Sequence, residues 1–302
     1  MAMISMRNDY KAYLLAVAGV AIFAMTLPAT RLAVADLPPL TVTLGRGVLA
    51  GVLAAVFLAV RRSPWPAKSD LGGLLVVFLC LVLGFPLFSS LAMRGLPASH
   101  GAVVLGILPL TTAVAATLFK GERLNRRFWL WACAGAALVI GFVLYDFGPV
   151  SFAGDDLFLL LSVLCAGIGY AFSGDLARRI GGLETIAWAL VLALPVMAAA
   201  FAWSADGALW QQAGLPAWAA FAYLGLFSQF LGFCFWNRAM ALGGIARIGQ
   251  VQLLQLFITL GGSALLLGEA ITAATIVFAV LVAWTVLQGR RAATVYGAKE
   301  EG

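Results

Sequence analysis

Charge is scarce in this sequence. Lys, Arg, Asp and Glu make up 11% of the 302 residues, against about a quarter in a soluble domain. Histidine occurs once, as His100, which excludes a His-based metal cage and leaves no second imidazole for acid–base work. There is no HExxH, GxSxG or CxxC. The four cysteines, Cys80, Cys133, Cys165 and Cys234, lie singly inside apolar runs. They read as small packing residues, with neither a disulfide framework nor a metal site. Nothing in the chain suggests a cofactor. An intramembrane enzyme needs clustered polar groups, and here they are scattered.

What the sequence has in excess is apolar surface: 63% of residues are hydrophobic and the mean hydropathy is +1.01. A folded chain of this size still needs a wettable surface, so this surface faces lipid. The net charge of +6 does not indicate nucleic acid, because the basic residues sit between apolar runs. A bilayer core of about 30 Å takes roughly 20 apolar residues of helix. Spans are expected at 12–35, 38–60, 71–94, 97–119, 127–147, 154–178, 184–204, 215–238, 244–267 and 270–289, joined by short connections. The first is too long for the apolar core of a cleaved signal peptide.

Placing the N-terminus in the cytoplasm puts fourteen of the nineteen basic residues in inner segments, among them Arg61, Arg62, Lys68, Arg123, Arg126, Arg127, Arg178 and Arg179. Outer connections then hold Asp36, Asp146, Asp155, Asp156, Asp206 and Glu269. The positive-inside rule therefore predicts a multi-pass protein of a bacterial-type inner (plasma) membrane with both termini cytoplasmic.

Two stretches, LAMRGLPASHGAVVLGILPLTTAVAATLFKGE and RAMALGGIARIGQVQLLQLFITLGGSALLLGE, align at one spacing. Ala92-Met93 and Gly121-Glu122 match Ala239-Met240 and Gly268-Glu269, 147 residues on. Five spans per repeat is an odd number, so the second copy enters from the opposite face. The expected fold is an all-α membrane protein: ten transmembrane helices as two inverted five-helix repeats, residues 12–147 and 154–290, around a central cavity. Inverted repeats recur in secondary transporters.

The first helix, AIFAMTLPATRLAV, carries Pro28 and Arg31 and resembles the aromatic-Gly-Ser-x-Phe-Pro-x-x-Lys/Arg entry helix of the drug/metabolite transporter superfamily, with Phe23 where Trp is usual and Ala24 where Gly is usual. Arg46 resembles the arginine of that family's second helix. Glu122 and Glu269 resemble the close of the fourth and ninth helices of its paired EamA domains. The resemblance covers about residues 12 to 290. It implies a ten-helix carrier working by alternating access, and the branch exporting amino acids, aromatic ones included, is the nearest analogy. A flippase or a carrier of lipid precursors, nucleotide sugars or drugs is the alternative on the same fold.

Arg46 lies within an apolar run, where a charge costs about 2.5–3.5 kcal/mol at mid-helix. It either faces the cavity and attracts a carboxylate or phosphate, or it pins neighbouring helices. Gly45, Gly47 and Gly51 permit close helix approach around it. Further candidates for substrate contact are Thr26 beside Pro28, His100 near the start of span four, Thr111 behind Pro109, and Tyr170 among glycines. Asn237, and Gln252 and Gln255 on one face of span nine with Thr259, complete the set. His100 pairs by repeat spacing with Arg247. No carboxylate is expected at mid-membrane, which argues against proton exchange for cationic drugs and suits anionic or zwitterionic cargo. The partners expected are the bilayer and a small-molecule substrate, with the chain a monomer.

Overall fold

The computed structural model describes residues 2–121, 125–147, 154–204, 207–243 and 249–300. Glu122, Arg123, Asp206 and Arg247, singled out above, lie outside the described residues. The long helices are α1 (Tyr10–Asp36), α2 (Pro39–Arg61), α3 (Lys68–Ala92) and α4 (Ala98–Phe119), then α5 (Arg126–Phe147). They continue with α6 (Asp155–Ile180), α7 (Gly182–Ser204) and α8 (Leu215–Leu242), then α9 (Leu253–Leu267) and α10 (Ala273–Glu300). Seven of them, α1 to α4 and α6 to α8, are long and apolar enough to cross a bilayer, whereas α9 and α10 have shorter apolar stretches. Among the described residues there is no strand, as expected where every backbone polar group must be satisfied within its own segment. A six-residue helix, Gly207–Gln212, precedes α8 and was not expected from the sequence.

Helix contacts follow a simple exchange rule. α2 packs along α7, α5 along α10 and α4 against α9. α1 against α8 is matched by α6 against α3, and α1 against α9 by α6 against α4. Replacing each helix by the one five places away maps this set of contacts onto itself. Local irregularities repeat too. Segments of wide π-helical turn occupy Phe78–Gly84 in α3 and Leu224–Leu231 in α8. Gly121 and Gly268, 147 residues apart, both terminate helices with positive φ, at 72° and 66°. That left-handed conformation is nearly free for glycine and costly for other residues.

The helix ends gather into a basic end and an acidic end. At the basic end Arg179 bonds Asp70 at 2.5 Å and Arg61 lies 3.7 Å from Glu184. At the acidic end Asp36 accepts a hydrogen bond from the Gly214 amide at 2.9 Å, joining the α1–α2 turn to the α7–α8 connection.

Glycine allows the closest crossings. A Cβ on Gly45 would stand 2.6 Å from the Phe221 ring and 2.7 Å from the Phe201 ring, and one on Gly51 would stand 3.3 Å from the Leu190 carbonyl of α7. At the start of α7, a Cβ on Gly182 would meet the backbone of Asn237 in α8 at 2.7 Å. A backbone cannot rotate aside as a side chain can, so Gly182→Ala should destabilise by about 1–3 kcal/mol. Gly72 has no heavy atom within 4 Å of a Cβ, so Gly72→Ala should be neutral or stabilising by up to about 1 kcal/mol. Thermal unfolding in detergent measures both, and a Gly182→Ala midpoint equal to wild type would contradict the packing described.

Candidate functional site

Helix α1 is broken at Met25, because Pro28 has no N–H to bond the Ala24 carbonyl four residues back. Two hydroxyls from the second half of the chain meet the opened turn. Thr259 of α9 donates to the Ala24 carbonyl at 2.8 Å, and Tyr223 of α8 donates to the Ile22 carbonyl at 2.8 Å. The break turns Thr26 inward, where its hydroxyl lies 2.8 Å from the Ser228 hydroxyl. Ser228 stands on the π-helical segment of α8, and such segments often carry functional groups.

Arg46 closes this cluster. It is 1% exposed, and its Nη2 donates to Ser228 Oγ at 3.0 Å. Its Nε and Nη1 are buried with no hydrogen-bond partner, and no ion pair involves it among the described residues. Arg46, Thr26 and Ser228 line a small cavity with Gln255, Phe23, Phe85, Phe233 and Tyr170. About 10 Å³ of it is open to a water centre, room for roughly one water. Ring contacts make its floor rigid: Phe23 meets Phe233 at 4.9 Å, and Tyr170 lies 6.0 Å from Phe233 and 6.3 Å from Trp236. Among the described residues no carboxylate lines the cavity.

A second small space adjoins it through Leu105 and Gln255 and is lined also by Gln252 and Thr259. Gln255 Oε1 and Gln252 Nε2 are buried and unpartnered. Gln252 and Gln255 thus face inward.

The remaining expected contacts are not brought into these cavities. Thr111 donates to the Leu108 carbonyl within its own helix at 2.9 Å, the usual way a hydroxyl is satisfied in an apolar helix. Asn237 is buried and accepts a hydrogen bond from Ser173 at 3.2 Å, with its Nδ2 unpartnered. His100 lies at the acidic end, 1% exposed, with Nε2 2.9 Å from Asp156 Oδ1 and its ring 5.0 Å from that of Phe142. The sequence places Asp156 among the outer connections. It is instead 2% exposed in the first turn of α6, because the buried imidazole gives it a partner.

Arg31 of the entry motif and Glu269 at the close of α9 act beside that pair. Glu269 accepts from the amides of Ala98 and Ser99 at 2.8 Å each, so a carboxylate of the second half caps the N-terminus of α4 in the first. Arg31 lies 3.4 Å from Glu269 and donates to the carbonyls of Met93 and Leu96. Ser228, Phe85 and Phe233 were missed in the sequence. A serine in an apolar run carries no signal, since it can bond its own backbone.

Comparison with known proteins bears on what such a cavity serves. The model of the EamA-like transporter family matches residues 10–144 and again residues 155–287. YdeK, an uncharacterized transporter of Bacillus subtilis (strain 168), is 44% identical over 90% of this chain and 94% of its own. YedA, an uncharacterized inner membrane transporter of Escherichia coli (strain K12), is 27% identical over 83% of each chain. A probable terminal-alkyne amino-acid exporter of Streptantibioticus cattleyicolor is 27% identical over 72% of this chain and 73% of its own. One crystal structure superposes over 96% of this chain and 99% of its own with a TM-score of 0.61 at 19% identity, a likeness of fold alone. With both halves of the described bundle matched in turn, the chain belongs to the EamA-like transporter family and is a multi-pass membrane transporter built of two repeats.

Proposed function

We propose that this transporter is a ten-helix carrier of two inverted repeats that exports amino acids, aromatic ones included, by alternating access. Its basic end, with both termini, faces the cytoplasm, and it works as a monomer. The observation that carries the cargo reading is Arg46: a fully buried guanidinium with two of its three nitrogens unpartnered, directed at a cavity lined by no carboxylate among the described residues. A residue retained to pin helices would have its donors satisfied, since a buried unpaired charge costs several kcal/mol. A substrate carboxylate would supply the missing acceptor. Thr26, Ser228 and Gln255 offer further hydrogen-bonding groups, and the faces of Phe23, Phe85, Phe233 and Tyr170 suit an apolar or aromatic side chain and an ammonium group. The distant similarity to an amino-acid exporter supports the same class, and the basic-end loops support the orientation.

In the described arrangement the cavity is too small for any amino acid, so loading requires the halves to part at one end. Clasps between the two halves are present at both ends. The acidic end has His100–Asp156 and the Glu269 cap on α4; the basic end has Arg179–Asp70 and Arg61–Glu184. Closing around an empty Arg46 leaves a desolvated charge, whereas closing around a carboxylate neutralises it. That difference makes passage of the loaded carrier cheaper than passage of the empty one.

Two measurements test this. Arg46→Gln should lower transport roughly 10- to 100-fold, the loss of one charge-assisted hydrogen bond. Its thermal unfolding midpoint should stay at or above that of wild type, because an unpaired buried charge has gone. A midpoint several degrees lower, with transport unchanged in the folded fraction, would assign Arg46 to helix pinning instead. The second is uptake of labelled threonine, methionine and phenylalanine into proteoliposomes with and without a pH gradient. Saturable uptake of several of these is expected. Failure of all three with verified, inserted protein would sink the amino-acid reading and turn the search to sugar nucleotides and lipid precursors.

A further inference from the structure

A larger open space than the one beside Arg46 lies elsewhere on the molecule. A groove of about 560 Å³ runs between α1, α2, α7 and α8 toward the basic end, within the range of small-ligand pockets, ~300–1,000 Å³. Its wall on α8 is Phe230, Cys234, Arg238 and Leu242 at four-residue spacing, with Leu231 and Phe235 beside them. Four-residue spacing keeps the first four on one face of the helix. The residues of α8 that turn to the core are others, Phe233, Trp236 and Asn237, each 5% exposed or less. On α1 the groove is lined by Lys11, Leu14 and Leu15, whereas the central cavity takes Phe23 and Thr26. On both helices the groove therefore occupies a separate face from the substrate cavity, and it is walled by residues such as Leu14 and Leu242, 53% and 41% exposed, that have only bilayer to face.

The chemistry of the groove is divided along its length. From Phe230 to Leu242 it is about 18 Å long at helical rise, apolar throughout except for Lys11 and Arg238. Both cations are exposed, and neither has an ion-pair partner among the described residues. The neighbouring cation Arg61 is occupied, lying over the Phe57 ring and 3.7 Å from Glu184. An apolar channel ending in two unpaired positive charges at the membrane surface complements an acyl chain carrying an anionic headgroup.

We propose that this groove is a binding site for one anionic phospholipid, its acyl chain along Phe57, Phe230 and Cys234 and its phosphate between Lys11 and Arg238. The groove shares no lining residue with the cavity beside Arg46, and the proposal is independent of the cargo reading.

The test is native mass spectrometry of the detergent-purified full chain titrated with phosphatidylglycerol and, separately, with phosphatidylcholine of the same acyl chains. One phosphatidylglycerol should bind in preference to phosphatidylcholine. Each of Lys11→Gln and Arg238→Gln should weaken that binding about fivefold, and the double variant roughly thirtyfold. The charge-matched control Arg126→Gln/Arg127→Gln, whose parent residues are exposed on α5, should leave it unchanged. The single variants replace exposed side chains, so the result does not hang on the double variant folding. Equal retention of the two lipids would overturn the site, as would an equal loss in the control. Displacement by glycerol phosphate at the lipid's concentration would also overturn it, since that would make the groove a soluble-anion site.

Discussion

The carbonyl of Ala24 has no partner in its own helix, because Pro28 has no N–H to offer, and in a bilayer no water stands ready to replace it. Thr259 reaches across from α9 to supply that hydrogen bond, and Tyr223 of α8 secures the adjoining turn at Ile22. Gly262 lets α9 come close, since a Cβ there would run into the Met25 side chain. The break in the first repeat is thus held open by the second. Everything described at the centre depends on it: the break sets Thr26 against Ser228, and Ser228 against Arg46.

Arg46 is the counterweight. Its insertion into an apolar helix is costly, and the fold compensates with a single hydrogen bond to Ser228. The site leaves two guanidinium nitrogens and amide atoms of Gln252 and Gln255 unpartnered, so that cost is concentrated around the central space. Phe23, Phe233 and Tyr170 line the space, and their rings pack on one another and on Trp236 behind them. The polar groups that are fully matched, such as Thr111 with its own backbone and His100 with Asp156, lie away from that space.

The two repeats divide the labour unevenly. Contacts between helices obey the exchange of each helix for the one five places on, and the glycine caps at 121 and 268 share one conformation. Yet α1 and its partner α6 differ sharply. α1 is broken and contributes Thr26, while α6 runs unbroken from Asp155 to Ile180 and contributes Tyr170. The proline of α1 has no counterpart in α6, so only one of the two lets its backbone open. Both contribute to the cavity, one from beside a broken turn and the other from an unbroken helix.

Composition alone required a membrane protein, because an 11% charged chain has no means of wetting its surface. The glycine and apolar spacing disclosed the repeat and the close packing of α2, and a lone charge in an apolar run pointed to Arg46. These are local or periodic signals, readable along one strand of text. The partners of those residues were not readable. Ser228 looks like any serine in an apolar helix, Asp156 like any acid in a connection, and His100 like a cavity residue until Asp156 is found 2.9 Å away. Which polar groups are satisfied and which are left waiting depends on contacts between residues as much as 235 positions apart, as with Ala24 and Thr259. Sequence determined which groups would be expensive to bury; the packing of the two halves decided which of them were given partners and which were left without one.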